Sequence, residues 1–207
     1  MASSLIHIAI AKKVQEKVDV DNEKDYYLGS IAPDIAKQIG LPRSESHFII
    51  NSRNGIPNIK LFTKRYPTFK YNSFNLGYFT HLYADKLWEE KVMSKIISNN
   101  SIKLLDGTIM NTTEKEMMEM VYSDYTNLNR SIIDKYNLDL SLFYEEFQKP
   151  DTYLKEIPIE KLDILLNKMS IIIENSNEEK AYTFDLYEVE NFIEETTKVI
   201  LKELEKY

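Results

Sequence analysis

Three histidines, His7, His47 and His81, supply every imidazole in this 207-residue chain, and all lie before residue 82. His81 and Asp85 are four positions apart, so a helix through them carries both on one face. That face is apolar: Phe74, Tyr78, His81, Asp85, Trp88 and Val92 recur at helical spacing. A carboxylate buried there is costly unless a cation meets it. A divalent metal is one such partner, and an arginine or lysine is another. His7 shares the apolar stripe of an earlier helix with Ala11, Val14 and Val18. Asp34 follows Pro33 in a tight turn, a rigid way to present a carboxylate. His47 stands just before the apolar run Phe48-Ile49-Ile50. A lone histidine on an apolar face is usually a satisfied core residue, and His81 with Asp85 also reads as an ordinary hydrogen-bonded pair. The convergence of all three histidines and two aspartates beside apolar or turn-forming residues is what points to a metal site.

The elements that must position these groups are helical. Leu5–Val18 reads as a helix capped by Ser3 or Ser4, with lysines toward its C-terminal end. Asp25–Ser30 reads as a short helix stopping at Gly29, followed by an extended or turn-like 31–34, because Pro33 restricts Ala32. Asp34 then caps a short helix over Ile35–Ile39. Residues 43–60 read as a loop broken by Gly55 and Pro57, and a short helix covers Ile59–Tyr66. The strongest helix runs from Ser73 to about Ile97. Thr113 and Glu116 form a capping box ahead of Glu114–Tyr136. Leu140–Phe147, Pro158–Glu174 and Thr183–Tyr207 complete a pattern without repeats or strands, with a polar connector over 174–180. The expected architecture is all-α, a single domain over 1–207.

Composition excludes several alternatives. Hydrophobic residues make up 43% and charged residues 29% of the chain, proportions of a folded protein and not a disordered one. The net charge of −7 argues against binding duplex nucleic acid, which needs a basic surface. It leaves phosphate-ester chemistry open, since a bound metal supplies local positive charge. Without cysteine there is no disulfide and no thiolate-ligated zinc. No Gly-rich phosphate loop occurs. No apolar stretch approaches the roughly 20 residues of a transmembrane segment, and no secretory signal is recognisable, so a cytoplasmic location is expected. Oligomeric state is left open.

Three segments carry a family resemblance: Tyr27-Leu28-Gly29-Ser30-Ile31-Ala32-Pro33-Asp34, then Ser46-His47-Phe48, then Leu76-Gly77-Tyr78-Phe79-Thr80-His81-Leu82-Tyr83-Ala84-Asp85. With the early His7-Ile8-Ala9, this order resembles the zinc-dependent phospholipase C family, which is related in fold to the S1/P1-type nucleases. The resemblance implies a helical bundle of the phospholipase C/P1 nuclease type. It implies one zinc among Asp34, His47, His81 and Asp85, and a second bridged by Asp85 and held by His7. The family's third zinc needs a histidine near position 91, where Lys91 stands, and a later HxxxE pair, which this chain lacks. Glu89, Glu90 and Asp124 read as solvated or structural carboxylates more than as substitutes. One or two Zn²⁺ ions are therefore expected, and Mn²⁺, Fe²⁺ or Ni²⁺ suits the same donors. The expected function is metal-dependent hydrolysis of phosphate esters, small-molecule or lipid, preferring a diester, with Asp34 as catalytic proton acceptor. The alternative is a non-catalytic binding protein with a structural metal on the same fold. Tyr26, Tyr27, Tyr78 and Tyr83 are expected to line a pocket, and Arg43, Arg53, Lys64 and Arg65 to lie where an anionic substrate could meet them.

Overall fold

In the computed structural model, residues 1–50, 55–176 and 181–207 are described. Arg53 and most of the 174–180 connector lie outside them. The fold is all-α, with one small sheet. Helices α1 (Ser4–Gln15), α2 (Glu23–Ile31), α3 (Ile35–Gln38), α4 (Arg43–Ser46) and α5 (Ile59–Arg65) lead to α6 (Ser73–Trp88). A π-helical turn over Glu89–Met93 and the short α7 (Ser94–Ile96) extend α6. Then come strands β1 (Ile97–Ser98), β2 (Ser101–Lys103) and β3 (Ile109–Asn111), followed by α8 (Glu114–Tyr136), α9 (Leu162–Glu174) and α10 (Leu186–Leu204).

The apolar pattern decides which helices are central. Of α6, only Lys86 and the first residue escape burial, and α1 is buried from Ser4 through Ala11. Helices apolar all round belong inside a fold, whereas one-sided helices cover it. The covering helices α8, α9 and α10 bury one face each; Val189, Phe192, Ile193 and Ile200 face inward on α10. Trp88, fully buried at the end of α6, meets Phe192 edge-on at 4.8 Å and Phe184 at 5.3 Å. Such aromatic pairs are worth about 0.5–1.5 kcal/mol each beyond their burial, and they tie α6 to α10. The expected apolar set on α9, from Leu162 to Met169, is buried, and the Thr113/Glu116 capping box of α8 forms as read.

Several expectations are corrected. The helix α2 does not stop at Gly29 but continues to Ile31. Glycine reads locally as a helix stop, yet here it serves close packing. A methyl on Gly29 would lie 2.0 Å from the Phe74 carbonyl oxygen, and one on Gly77 2.0 Å from that of Tyr26. The backbones of α2 and α6 therefore touch at two glycines, one on each helix. Ala32 is not extended: it has φ −54° and ψ −35°, and Ala32–Asp34 forms a 3₁₀ turn. Pro33 fits there because the first turn of a helix needs no donor from it. Asp34 precedes α3 but makes no side-chain cap bond. The 43–60 stretch is not all loop, since α4 lies within it. Leu140–Phe147 shrinks to a 3₁₀ turn over Ser141–Phe143. Val18 falls beyond the end of α1.

The antiparallel sheet β1-β2-β3 was not expected from periodicity. Its signal is in the turns: Asn99-Asn100 closes a two-residue hairpin with Asn99 at φ 25°, and Gly107 sits at φ 88° in the next turn. Asn and Gly tolerate positive φ, and such pairs mark tight hairpins even between very short strands. No helix among the described residues is long and apolar enough to cross a membrane.

Candidate metal centre

The five residues singled out in the sequence meet at one place. His7 comes from α1, Asp34 from the turn before α3, His47 from the end of α4, and His81 and Asp85 from α6. His7, His47, His81 and Asp85 are at most 1% exposed, and Asp34 is 8% exposed. Asp85 is the hub. Its Oδ1 lies 3.2 Å from His7 Nε2, and its Oδ2 lies 3.4 Å from His47 Nε2 and 3.7 Å from His81 Nε2. His47 Nε2 is 3.2 Å from His81 Nε2 and 3.7 Å from Asp34 Oδ1. The His7 and His81 rings stack at 3.8 Å.

Two of the donors, His81 and His47, are aimed by hydrogen bonds from their Nδ1 atoms. His81 Nδ1 donates to the Ser30 carbonyl at 2.8 Å across the α2–α6 contact. His47 Nδ1 pairs with Ser46 Oγ at 2.8 Å, and the Tyr78 hydroxyl donates to the Ser46 carbonyl. Directly after His47 the chain turns back at Phe48, whose φ of 55° is unusual for a bulky residue. Its buried ring docks edge-on against Phe62, Tyr66 and Tyr78. Strain of this kind persists only where surrounding packing holds it. With Nδ1 of both histidines engaged, their Nε2 atoms face each other across the cluster. Outer-shell bonds of this type fix the tautomer and ring orientation of metal-ligating histidines.

The arrangement fits a cation. Donors about 2.0–2.1 Å from a tetrahedral Zn²⁺ lie roughly 3.3 Å from one another, which is close to the separations seen here. His7 Nε2 and Asp34 Oδ1 are buried without a hydrogen-bond partner. His7 Nε2 is near Asp85 Oδ1 yet misaligned for a hydrogen bond to it, as expected of two donors turned toward a third body. Two overlapping triplets bring their ligand atoms together: His7, Asp34, His81 and His47, His81, Asp85. The first groups His7 with Asp34, where the resemblance implied His7 with Asp85 only.

The sequence reading missed Arg43. It was placed among residues available to substrate, but its Nη2 donates to Asp85 Oδ2 at 2.9 Å. Ala2 N–H donates to Oδ1 at 3.0 Å. Both of the cations that an apolar-face aspartate can use, a metal and an arginine, are therefore provided for. Three of the four tyrosines expected around a pocket, Tyr26, Tyr27 and Tyr78, make hydrogen bonds that brace the fold. Tyr26 donates to the Ala11 carbonyl and Tyr27 to Gln15 Oε1, so they tie α2 to α1. The cavity beside Asp34 is lined instead by Tyr122 and Tyr125 of α8. Lys64 and Arg65 are exposed residues of α5, and Arg65 pairs with Glu156.

The third-zinc positions are not assembled among the described residues. Lys91 is partly exposed and reaches Glu195 at 3.4 Å. Glu89 takes the Met1 ammonium at 2.7 Å, and Glu90 lies 3.8 Å from Lys86. Asp124 is a structural anchor: it accepts from Tyr182 N, Thr183 N and Thr183 Oγ1 at 2.6–2.7 Å.

Residues 6–88 match the family described as zinc dependent phospholipase C. By this match the segment is similar to that family. All five clustered side chains and Arg43 lie inside it, and the all-α fold agrees with it. No curated protein and no solved structure matches the chain. The family matched is one of zinc-dependent phospholipase C-type hydrolases, and the buried His/Asp groups of this chain could hold a metal ion.

The charge states of Asp34, Asp85 and His81 suit that role, while His47 must give up its proton to a metal. Burial alone would raise the Asp34 pKa, but His47, His81 and His7 outweigh it and hold Asp34 at about 2. Burial likewise opposes ionisation of Asp85, and the amino-terminal charge, His47 and His7 pull its pKa well below the usual range. Burial, reinforced by His7, lowers His81 to about 3. Burial also acts to lower His47, but Asp34 and Asp85 overcome it and raise its pKa. A neutral His81 and two carboxylates are the ligand forms a divalent ion takes.

A pH prediction follows for chelator-treated protein. His81 takes up its proton near 6.5 when unfolded and near 3 when folded. The unfolded state therefore binds more protons between these values, and this group's contribution makes stability fall as pH drops from 6.5 toward 3. His47, shifted upward, acts in a different window: its contribution is fully present below 6.5 and is lost as pH rises through its folded pKa. Urea midpoints measured on the His81→Asn variant are expected to depend less steeply on pH over 3–6.5 than those of the parent. Equal slopes would mean His81 is not held neutral by the fold.

Proposed function

We propose that the chain, as one domain over 1–207, is a metal-dependent hydrolase of phosphate esters that prefers a phosphodiester. The observation that carries this reading is the buried convergence of His7, Asp34, His47, His81 and Asp85 at ligand spacing. We assign these five as the residues that hold one or two ions, Zn²⁺ by family, with Mn²⁺, Fe²⁺ or Ni²⁺ compatible with the same donors. A single hydrophobic cluster running from Ala2 to Ile200 supports the one-domain reading.

A divalent ion bound there supplies Lewis-acid polarisation of a phosphoryl oxygen and acidifies an adjacent water. The protein's own groups do the rest. Asp34 is the one member of the cluster that lines the neighbouring cavity, and its Oδ1 has no hydrogen-bond partner. It is positioned to accept the proton of an attacking water. Neutral His81 and the Ser46-braced His47 keep their Nε2 atoms fixed, so no reorganisation is needed as charge develops. Small-molecule or lipid phosphoesters reach the site through the same cavity.

The test is metal analysis of protein purified without added metal, followed by assay against phosphodiester and phosphomonoester substrates. One or two equivalents of metal and faster diester turnover are expected. Protein that takes up no metal and hydrolyses nothing with Zn²⁺, Mn²⁺ or Ni²⁺ overturns the reading. One observation favours a second reading, a binding protein with a structural metal: Arg43 already neutralises Asp85 at 2.9 Å. A closed shell of four protein donors, without an exchangeable water, distinguishes it.

A further inference from the structure

A cavity of about 210 Å³ opens beside Asp34, between the start of α1, α3, α8 and α9. It is small against the roughly 300–1,000 Å³ of ordinary ligand pockets, so it suits a headgroup rather than a whole lipid. Met1 and Asp34, whose charge the clustered histidines or a bound metal would offset, line it too; three further features define its chemistry. Lys37, on α3 one turn after Asp34, holds its ammonium 3.8 Å from the centre of the Tyr122 ring. That contact uses an aromatic face that could otherwise receive a cationic ligand. Asn129, 2% exposed, lines the cavity; its Nδ2 donates to Ser176 Oγ at 3.0 Å, while its buried Oδ1 has no partner. A buried acceptor without a partner is costly, so an occupant that brought a donor to it would be favoured. Tyr125 and Met169 supply apolar wall.

A second positive charge in so small a space would be repelled by Lys37, because screening at physiological salt acts over about 8 Å. A quaternary ammonium also has no hydrogen to offer Asn129. A hydroxyl has one. We propose that this cavity receives the organic group of the phosphoester, and that Lys37 and Asn129 select one bearing hydroxyls and no positive charge. Glycerol phosphate has this chemistry and phosphocholine does not. The inference rests on the phosphoesterase reading for the cavity's role.

Calorimetric titration of the full chain, loaded with zinc and without it, tests the selection with sn-glycerol 3-phosphate and phosphocholine. Glycerol phosphate is expected to bind about tenfold more tightly. Lys37→Gln, an exposed change that leaves the core intact, should erase most of that preference. Asn129→Leu should weaken glycerol phosphate about tenfold and leave phosphocholine nearly unchanged. Should Asn129→Leu not fold, Lys37→Gln decides alone. Short-chain phosphatidylglycerol against phosphatidylcholine separates the sources: the same preference there supports a lipid headgroup, and a preference confined to the free esters supports a soluble phosphoester. Equal affinity for both esters in the parent protein, or a preference that survives Lys37→Gln, overturns the proposal. Hydrolysis of bis(p-nitrophenyl) phosphate is followed in parallel. Inactive protein with the preference intact sinks only the catalytic reading, and active protein without the preference sinks only this one.

Discussion

Asp85→Asn is expected to strip the centre of metal and to destabilise the fold by about 3 kcal/mol, the low end for removing one partner of a buried ion pair. The low end applies because Arg43, left behind, is 29% exposed and can turn to solvent. The change is nearly isosteric, so packing within α6 is preserved and the loss is electrostatic. Asp85 faces three histidines, an arginine and the Ala2 N–H, and an amide serves these donors poorly. Metal content by mass spectrometry and the urea midpoint read the two effects separately. An Asp85→Asn protein that keeps its full complement of zinc would mean the aspartate is a charge partner for Arg43 and not a ligand. His7→Gln refines the outcome: if the centre holds two ions, the metal ratio falls from two toward one; if it holds one, loss of that ion places it in the His7, Asp34, His81 group and its retention places it in the His47, His81, Asp85 group.

Gly77→Ala, a single methyl far from solvent, should have an effect of similar size without touching any ligand. Its Cβ would stand 2.0 Å from the Tyr26 carbonyl oxygen and 2.8 Å from Ser30 N. Both are backbone atoms within α2, so no side chain can rotate away and the helices must separate. Overpacking of a core typically costs about 1–3 kcal/mol, and a rigid helix pair belongs at the upper end. Separation also stretches the His81 Nδ1–Ser30 carbonyl bond. Loss of such an outer-shell partner typically lowers metal affinity 10–100-fold. Thermal unfolding and competitive zinc titration are the measurements. An unchanged zinc affinity in a destabilised protein would show that the glycine contact supports the fold alone and does not aim His81.

Amphipathic and all-apolar helical patterns made the all-α class readable from the chain, because burial follows the 3.6-residue period. The capping box of α8 and the buried set on α9 were legible for the same local reason. The five ligand candidates were legible because a histidine or aspartate on an apolar face, or next to a rigid turn, is conspicuous against hydrophobic neighbours. What misled was also local. Gly29 looks like a helix stop and Pro33 like an extended break, yet the facing backbone of α6 makes a glycine necessary within α2, and a 3₁₀ turn accepts the proline. The tiny sheet escaped because two- and three-residue strands carry no periodicity.

Only the tertiary structure decided how the five side chains stand to one another. Sequence spacing relates His81 to Asp85 on one helix; it says nothing about His7, Asp34 and His47, which reach them across three other segments. The same holds for Arg43 on Asp85, for Ser30 and Ser46 behind the histidines, and for Lys37 and Asn129 in the cavity. Each is a long-range contact set by helix packing, and a solvated loop arginine or a helix asparagine has no local signature of such a partner. The sequence by itself determined that the chain is helical and carries donors fit for a metal. Only the close approach of α2 and α6, permitted at Gly29 and Gly77, brings the Ser30 carbonyl to His81 Nδ1.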